Sequence, residues 1–292
     1  LSTKDVFYDF SNINFKDFIT ISVNFKCYFL DPQGGGIYLF ENYKLKRIDT
    51  SYKHRMQIES SVFTYKNGIY KYGGYGFWSN RNFITKFNFE TNQWDFVPHL
   101  NSKELPSGSQ KSIVKIIEDD LYVYGGIKVN EFNPYIFEDN NEIWKFNFIN
   151  KVWKKLGINN LQKDNILNNT KIDYGDKSLF FDKETSCTTH VDFINNKVTT
   201  YKNSTLLNSL SFLPISFFHK NKFFLFVKEN PSSPVLVLKI RNEDEVLGEI
   251  IDQKSFYRNQ LVILTLMVII GSVLILILVY KIIRYLNKKR NK

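Results

Sequence analysis

The 292-residue sequence contains no alanine, and it has only two cysteines, two methionines and seven prolines. Without alanine the strongest helix former is missing. Phe, Tyr, Ile, Val, Thr and Asn fill the chain instead, and the aromatic and β-branched residues among them suit half-buried pleated surfaces. Two cysteines, Cys27 and Cys187, exclude a disulfide-built scaffold and any cysteine-rich metal site; whether the two pair is open from sequence. Histidine is equally sparse. His54, His99, His190 and His219 are scattered, with no His-x-His or His-Glu-x-x-His spacing, so no metal site and no cofactor is expected. The acids give no catalytic constellation: Glu118-Asp119-Asp120 reads as a turn, and Glu138, Asp139 and Glu142 lie in or beside a loop. No catalytic residue is assigned.

Acidic charge is absent from the C-terminal end. Of the formal +10, six charges belong to residues 281–292, which leaves +4 over residues 1–280. A nucleic-acid partner is not expected, because it would require a basic face on the folded body itself.

One long apolar run is present. Leu261–Tyr280, "LVILTLMVIIGSVLILILVY", holds 20 residues without a charge. A helix of that length spans roughly 30 Å, the thickness of bilayer hydrocarbon. The run predicts a transmembrane helix over 261–280, a juxtamembrane linker over 251–260 and a basic tail over 281–292. Lys281, Arg284, Lys288, Lys289, Arg290 and Lys292 follow the run at once and favour a cytoplasmic tail. The expected localisation is a single-pass membrane protein whose body, residues 1–250, faces the periplasm or the cell exterior. The chain opens at Leu1 with no signal-peptide pattern, so either a leader was removed or the sequence is a piece of a longer one.

The body contains a repeat. Ile69–Gly74 reads "IYKYGG", and 52 residues later Leu121–Gly126 reads "LYVYGG". Each is followed by a loop and a second matched segment, "KFNFETNQW" (86–94) and "KFNFINKVW" (145–153). Period-2 alternation runs through both units. Turn residues at Asn67-Gly68, Thr91-Asn92, Asp119-Asp120 and Asn150-Lys151 divide each unit into two hairpins. A four-stranded unit of this length cannot bury both faces alone and needs sister units stacked against it.

These residues resemble the kelch motif: apolar-Tyr-x-Tyr-Gly-Gly, a loop, an aromatic strand, a turn, then Trp. The match covers residues 58–98 and 110–156. The resemblance implies an all-β fold, a kelch-type β-propeller of about five visible four-stranded blades, some degenerate, over residues 1–250. It implies structural roles for Gly73, Gly74, Gly125 and Gly126, where a Cβ would clash, and for Trp94 and Trp153, which would pack between blades. Asn88 and Asn147 stand where the family often has Asp. Elsewhere the pattern fades. "VDFINNKV" (191–198) echoes "FNFINKVW" (146–153), with Thr199 expected in the place of the tryptophan. First hairpins are expected near residues 25, 68, 120, 175 and 221, and residues 5–20 are a candidate closing strand for the last blade.

Propellers engage partners through loops at one end of the channel. The loops after the glycine pairs, residues 75–82 and 127–141, offer Tyr75, Trp78, Arg81 and Tyr135, residue types that dominate binding hot spots. The function expected is a membrane-anchored, non-catalytic interaction or ligand-sensing module for a protein or carbohydrate ligand, touching the bilayer through residues 261–280. The alternative is a carbohydrate-active enzyme, a sugar oxidase, epimerase or glycosidase, using the axial pocket.

Overall fold

The computed structural model describes residues 18–33, 35–42, 44–50, 57–100, 104–130, 132–133, 135–159, 170–182, 187–202, 211–212, 216–228, 237–258 and 269–281. The body is a five-bladed β-propeller arrangement. Blade I is β1 (Ile19–Val23), β2 (Lys26–Leu30), β3 (Ile37–Glu41) and β4 (Lys44–Arg47). Blade II opens with β5 (Ser61–Tyr65) and β6 (Gly68–Tyr72), inserts a hairpin of β7 (Tyr75–Gly76) and β8 (Ser79–Asn80), and closes with β9 (Ile84–Asn88) and β10 (Gln93–Phe96). Blade III repeats the plan. It runs β11 (Ile113–Ile117), β12 (Asp120–Tyr124), an inserted hairpin of β13 (Ile127–Val129) and β14 (Phe137–Asp139), then β15 (Glu142–Asn147) and β16 (Val152–Asn159). Blade IV is β17 (Thr170–Tyr174), β18 (Lys177–Asp182), β19 (Cys187–Asp192) and β20 (Lys197–Lys202). Blade V has β21 (Ser211–Phe212) and β22 (Phe217–His219) on one edge of β23 (Lys222–Lys228), and β24 (Val237–Arg241) on the other.

The five first hairpins turn at 24–25, 66–67, 118–119, 175–176 and 220–221, so the spacing read from the sequence gives the blades. Two turns sit one residue earlier than expected. Lys66 and Asn67 both take positive φ, as a tight two-residue hairpin turn requires, and Gly68 opens β6 because a Cβ there would stand 2.7 Å from the Tyr70 ring. Asp120 likewise belongs to β12, where its carboxylate accepts from Lys145 at 2.7 Å and from Asn147 at 2.7 Å.

The second hairpins share one device. Asn88 Oδ1 accepts the Glu90 amide at 2.9 Å, Asn147 Oδ1 accepts Asn150 at 2.8 Å, and Asp192 Oδ1 accepts Asn195 at 2.8 Å. A short side-chain acceptor thus fixes the same turn in blades II, III and IV.

Each blade buries one sheet face against the next. Ile21, Tyr28, Leu30 and Ile37 of blade I pack on Ile69, Phe87 and Trp94 of blade II. Tyr70, Tyr72 and Ile84 pack on Leu121, Val123, Phe146 and Trp153 across blades II and III. Tyr122 and Tyr124 meet Phe180, Val191 and Val198 between blades III and IV. Leu179 and Phe181 meet Phe223 and Leu225 between blades IV and V. Register corrects one reading here. Trp94 stands opposite Phe87, Trp153 opposite Phe146, and Val198 opposite Val191. The tryptophan position of blade IV is therefore Val198, and Thr199 lies one residue beyond it.

One buried position breaks the apolar rule. Lys71 occupies in β6 the place that Val123 occupies in β12, and it is 2% exposed. Its ammonium sits 3.9 Å above the Trp94 ring and makes no hydrogen bond among the described residues. Burial drives its pKa down to about 7, opposed by the Asp49 carboxylate.

After β24 a single helical turn, α1 (Glu243–Val246), reverses the chain, which then runs back along the rim. β25 (Glu249–Ser255) adds a fifth strand to β20 of blade IV, and β26 (Tyr257–Arg258) adds a fifth strand to β16 of blade III. The linker expected over 251–260 is thus strand as far as Arg258, because the open rim edges of two blades offer it backbone partners. Residues 269–281 form a helix, α2, that exposes apolar side chains on all sides. Among the described residues no helix is long and apolar enough to cross a membrane. Residues 261–268 of the apolar run, residues 282–292 and residues 1–17, which include most of the candidate closing strand, lie outside the described residues; Ile19 and Thr20 open blade I.

Candidate functional site

Two surfaces could carry function, the axial cavity and the end of the propeller where the glycine pairs lie. The cavity, about 760 Å³, is walled by the first strands of blades I to IV. Its charged residues are Lys111, Lys115, Lys171, Glu59 and Asp173. Lys115 reaches the Lys177 carbonyl at 3.1 Å and Asp173 at 3.5 Å, and Lys171 reaches Asp173 at 2.9 Å and the Val114 carbonyl at 2.8 Å. Lys111 pairs with Glu59 at 3.2 Å. These contacts staple neighbouring blades. Burial opposes the ionised form of Asp173, but Lys171 and Lys115 outweigh it and hold its carboxyl below the ordinary range. Glu59 and Asp173, the carboxylates that line the cavity, are each engaged by lysine, at 3.2 Å from Lys111 and 2.9 Å from Lys171.

The other end is built differently. Gly73 and Gly74 have φ of +69° and +97°, and Gly125 and Gly126 have +65° and +88°. A Cβ on Gly73 would stand 2.3 Å from the Ser109 carbonyl oxygen, and one on Gly126 would stand 2.6 Å from that of Gln110. The strand linking blades II and III runs directly across the first pair. The chain therefore turns outward after each pair and forms the inserted hairpins.

The first hairpin pairs Tyr75 with Asn80 and Gly76 with Ser79, and its tip is Phe77-Trp78. Both tip residues have positive φ, 48° and 64°, and both are exposed, at 69% and 82%. The second pairs Ile127 with Asp139, Lys128 with Glu138 and Val129 with Phe137. Its tip is shaped by side-chain acceptors: Asn130 Oδ1 takes the amides of Phe132 at 2.9 Å and Asn133 at 3.0 Å, and Asn133 Oδ1 takes that of Tyr135 at 3.0 Å. Phe132, Tyr135 and Ile136 stand exposed there. The two hairpins touch. The Val129 amide donates to Asn80 Oδ1 at 2.6 Å, and the Tyr75 and Phe137 rings meet at 6.2 Å.

Of the residues picked out from sequence, Trp78 and Tyr135 are surface aromatics on these adjoining hairpins. Tyr75 is half-buried against Phe137, and Arg81 is turned inward, its guanidinium donating to the Gly76 carbonyl at 2.9 Å. Arg81 thus braces the first hairpin. Phe77 and Phe132 were not anticipated. The signal for Phe77 was its place beside Trp78 at the centre of a short loop that lacks the usual Asn-Gly.

At the stem of the second hairpin lies a polar recess of about 450 Å³, lined by Lys128, Glu138, Asp139, Asn140, Glu142 and Lys155 among others. Burial disfavours the charge on Glu142, but Lys155 at 2.6 Å, Trp144 Nε1 at 2.9 Å and the Ser107 amide at 3.2 Å donate to it and keep its pKa below the ordinary value. Among the described residues no cluster of His, Cys, Asp or Glu is arranged to hold a metal, and no disulfide joins Cys27 to Cys187. His190 is part of a buried chain: its Nε2 and the Tyr174 hydroxyl lie 2.9 Å apart, and that hydroxyl donates to Glu243 of α1 at 2.9 Å.

The architecture defines a β-propeller whose inserted hairpins form a paired aromatic tip. A comparison with solved structures agrees on the fold: the structure of YjhT matches with a TM-score of 0.54 and 15% identity, over 74% of this chain and 73% of that one. No protein-family model matches the sequence, and a comparison with curated proteins found no match.

Proposed function

We propose that the protein is a membrane-tethered, non-catalytic recognition module of the kelch type, presenting its paired hairpins away from the cytoplasm. The observation that carries the reading is the double hairpin. Phe77, Trp78, Phe132 and Tyr135 are solvent-exposed on two hairpins locked to one another by the Val129–Asn80 hydrogen bond. Large aromatics held out on braced tips add nothing to the core, and residues of these types anchor binding sites. The kelch assignment rests on the repeated Tyr-Gly-Gly and Trp positions: both glycine pairs take positive φ, and both tryptophans sit between blades.

The tether is argued from α2 and its flanks. A helix with no polar face has no place on the rim of a β-propeller, and six basic residues follow the apolar run with no acid among them. The enzymatic alternative would need the axial cavity, where lysine engages both lining carboxylates.

Affinity capture from detergent-solubilised membranes tests the reading. The wild-type chain is compared with a Trp78→Ala, Tyr135→Ala double variant of unchanged melting temperature. Partners retained equally by both would overturn the choice of surface.

A further inference from the structure

The paired hairpins place an aromatic tip and a polar recess on the same strands. Phe132 and Tyr135 sit at the tip of the β13–β14 hairpin, and Glu138, Asp139 and Asn140 follow in its stem. We propose that this site takes a sugar chain, neutral or bearing amino groups, its ring faces against the aromatic tips and its hydroxyls in the recess. The inference rests on the recognition reading and names the ligand class.

Three observations lead there. Sugar rings have apolar C–H faces and polar rims, so they need flat aromatic surfaces beside hydrogen-bonding groups of both kinds. The tips supply the first. The recess supplies the second, with carboxylate acceptors, the donor-acceptor amides of Asn140 and Asn141, and the Lys128 and Lys155 ammoniums. Charge narrows the class. The recess is lined by three acids and two lysines, a net charge of −1, which disfavours phosphate, sulfate or uronate polymers.

A protein partner fits less well. Its apolar anchors would need dry, enclosed sockets, whereas the recess beside these tips is lined by charged and amide side chains. Length is the third point. The recess begins on the stem itself, and three residues carry the chain from Tyr135 at the tip to Glu138 in the recess wall, about 10 Å of extended chain. A ligand that touches both is longer than one sugar ring.

The test uses the full chain in detergent micelles, titrated with cellohexaose, chitohexaose and polygalacturonate. Trp94 and Trp153 are buried away from the recess, whereas Trp144 donates to Glu142 in its wall, so the contribution of Trp78 is read as the difference in tryptophan fluorescence between wild type and Trp78→Ala. Saturable binding of cellohexaose or chitohexaose, weakened at least tenfold by Trp78→Ala or Tyr135→Ala and several-fold by Glu138→Gln in calorimetry, is the expected result. Polygalacturonate is expected not to bind.

A photo-crosslinker at position 132 separates the two levels of the argument. If neither neutral oligosaccharide binds while the crosslinker captures a protein whose capture Trp78→Ala abolishes, the sugar inference falls and the recognition reading stands. If neither sugar nor protein engages the tips, both fall. Polygalacturonate binding as tightly as the neutral chains would overturn the charge argument and the ligand class with it.

Discussion

The ring of Phe256 meets that of Tyr124 edge-on, with centroids 5.1 Å apart, in the place where Trp153 meets Tyr72, tilted and at 5.5 Å, one blade earlier. Tyr72 and Tyr124 hold the same position in the repeat. In blade III the tryptophan that covers the preceding tyrosine comes from the blade's own last strand. Blade IV has Val198 there, too short to reach, and the chain returns some 60 residues later to place Phe256 in the gap. Asn196 fixes the return: its carbonyl accepts the Phe256 amide at 3.0 Å, its Oδ1 accepts the Tyr257 amide at 2.9 Å, and its Nδ2 donates to the Tyr257 carbonyl at 3.2 Å. Phe256 is thus part of the propeller core and anchors the largely exposed rim strands on either side of it.

Phe256→Ala is expected to cost about 3–5 kcal/mol, the range for deleting a fully buried phenylalanine. The effect should extend beyond local packing, because β25 and β26 lose the side chain that pins them between blades. Hydrogen exchange at the amides of β25 should rise together with the loss measured by urea denaturation. A variant that melts as wild type would show that the rim strands merely rest on the blades.

Lys71→Met should stabilise the fold by about 1–3 kcal/mol at neutral pH, since it replaces an unpaired buried ammonium by an apolar chain of similar length. The sign with pH follows from a folded pKa depressed to about 7 against an ordinary value near 10.5. Between those values the unfolded chain holds a proton that the folded one does not. Stability therefore rises with pH through that window, at up to about 1.4 kcal/mol per unit, and the full penalty persists below pH 7. Thermal melts from pH 6 to 10 should show this slope in the wild type and lose it in Lys71→Met.

The two glycines of the second pair should respond unequally to alanine. Gly125→Ala meets nothing within 4 Å and suffers only its positive φ, a cost of about 1 kcal/mol. Gly126→Ala adds a collision with the Gln110 carbonyl oxygen and the Ser112 backbone, about 1–3 kcal/mol more. Equal losses for the two variants would mean that the linker between blades II and III yields without resistance.

Blade number and, to within one residue, turn positions were legible because four of the five first hairpins have a short polar or glycine-bearing turn between apolar strands, Asn24-Phe25 being the exception. The acceptor that fixes each second turn, Asn88, Asn147 and Asp192, is visible in the sequence too. The rim strands were not legible. Residues 249–255 are nearly all exposed and show no buried alternation, and their partner β20 lies some 50 residues upstream, so only the tertiary edge defines them. Trp78 and Tyr135 were found by residue type. Arg81 was picked by the same criterion, and nothing in its neighbourhood announces that its guanidinium folds back on Gly76.

The tip of the first hairpin gives the sharpest test of what these surfaces are for. A two-residue turn with positive φ at both positions favours Asn-Gly, and Phe77-Trp78 is among the least suitable pairs for it. The first-hairpin turn of blade II meets the same backbone demand without large rings, through Lys66 and Asn67 at φ 41° and 60°. Replacing Phe77-Trp78 by Asn-Gly should therefore stabilise the hairpin by about 1 kcal/mol, read as slower exchange of the Gly76 and Ser79 amides. The same variant should lose ligand or partner binding, because it removes two exposed rings and leaves the Val129–Asn80 bond intact. Gain of local stability with loss of binding is the signature of a site held against its own folding preference. A variant that binds as before would assign the aromatic tips no role in recognition.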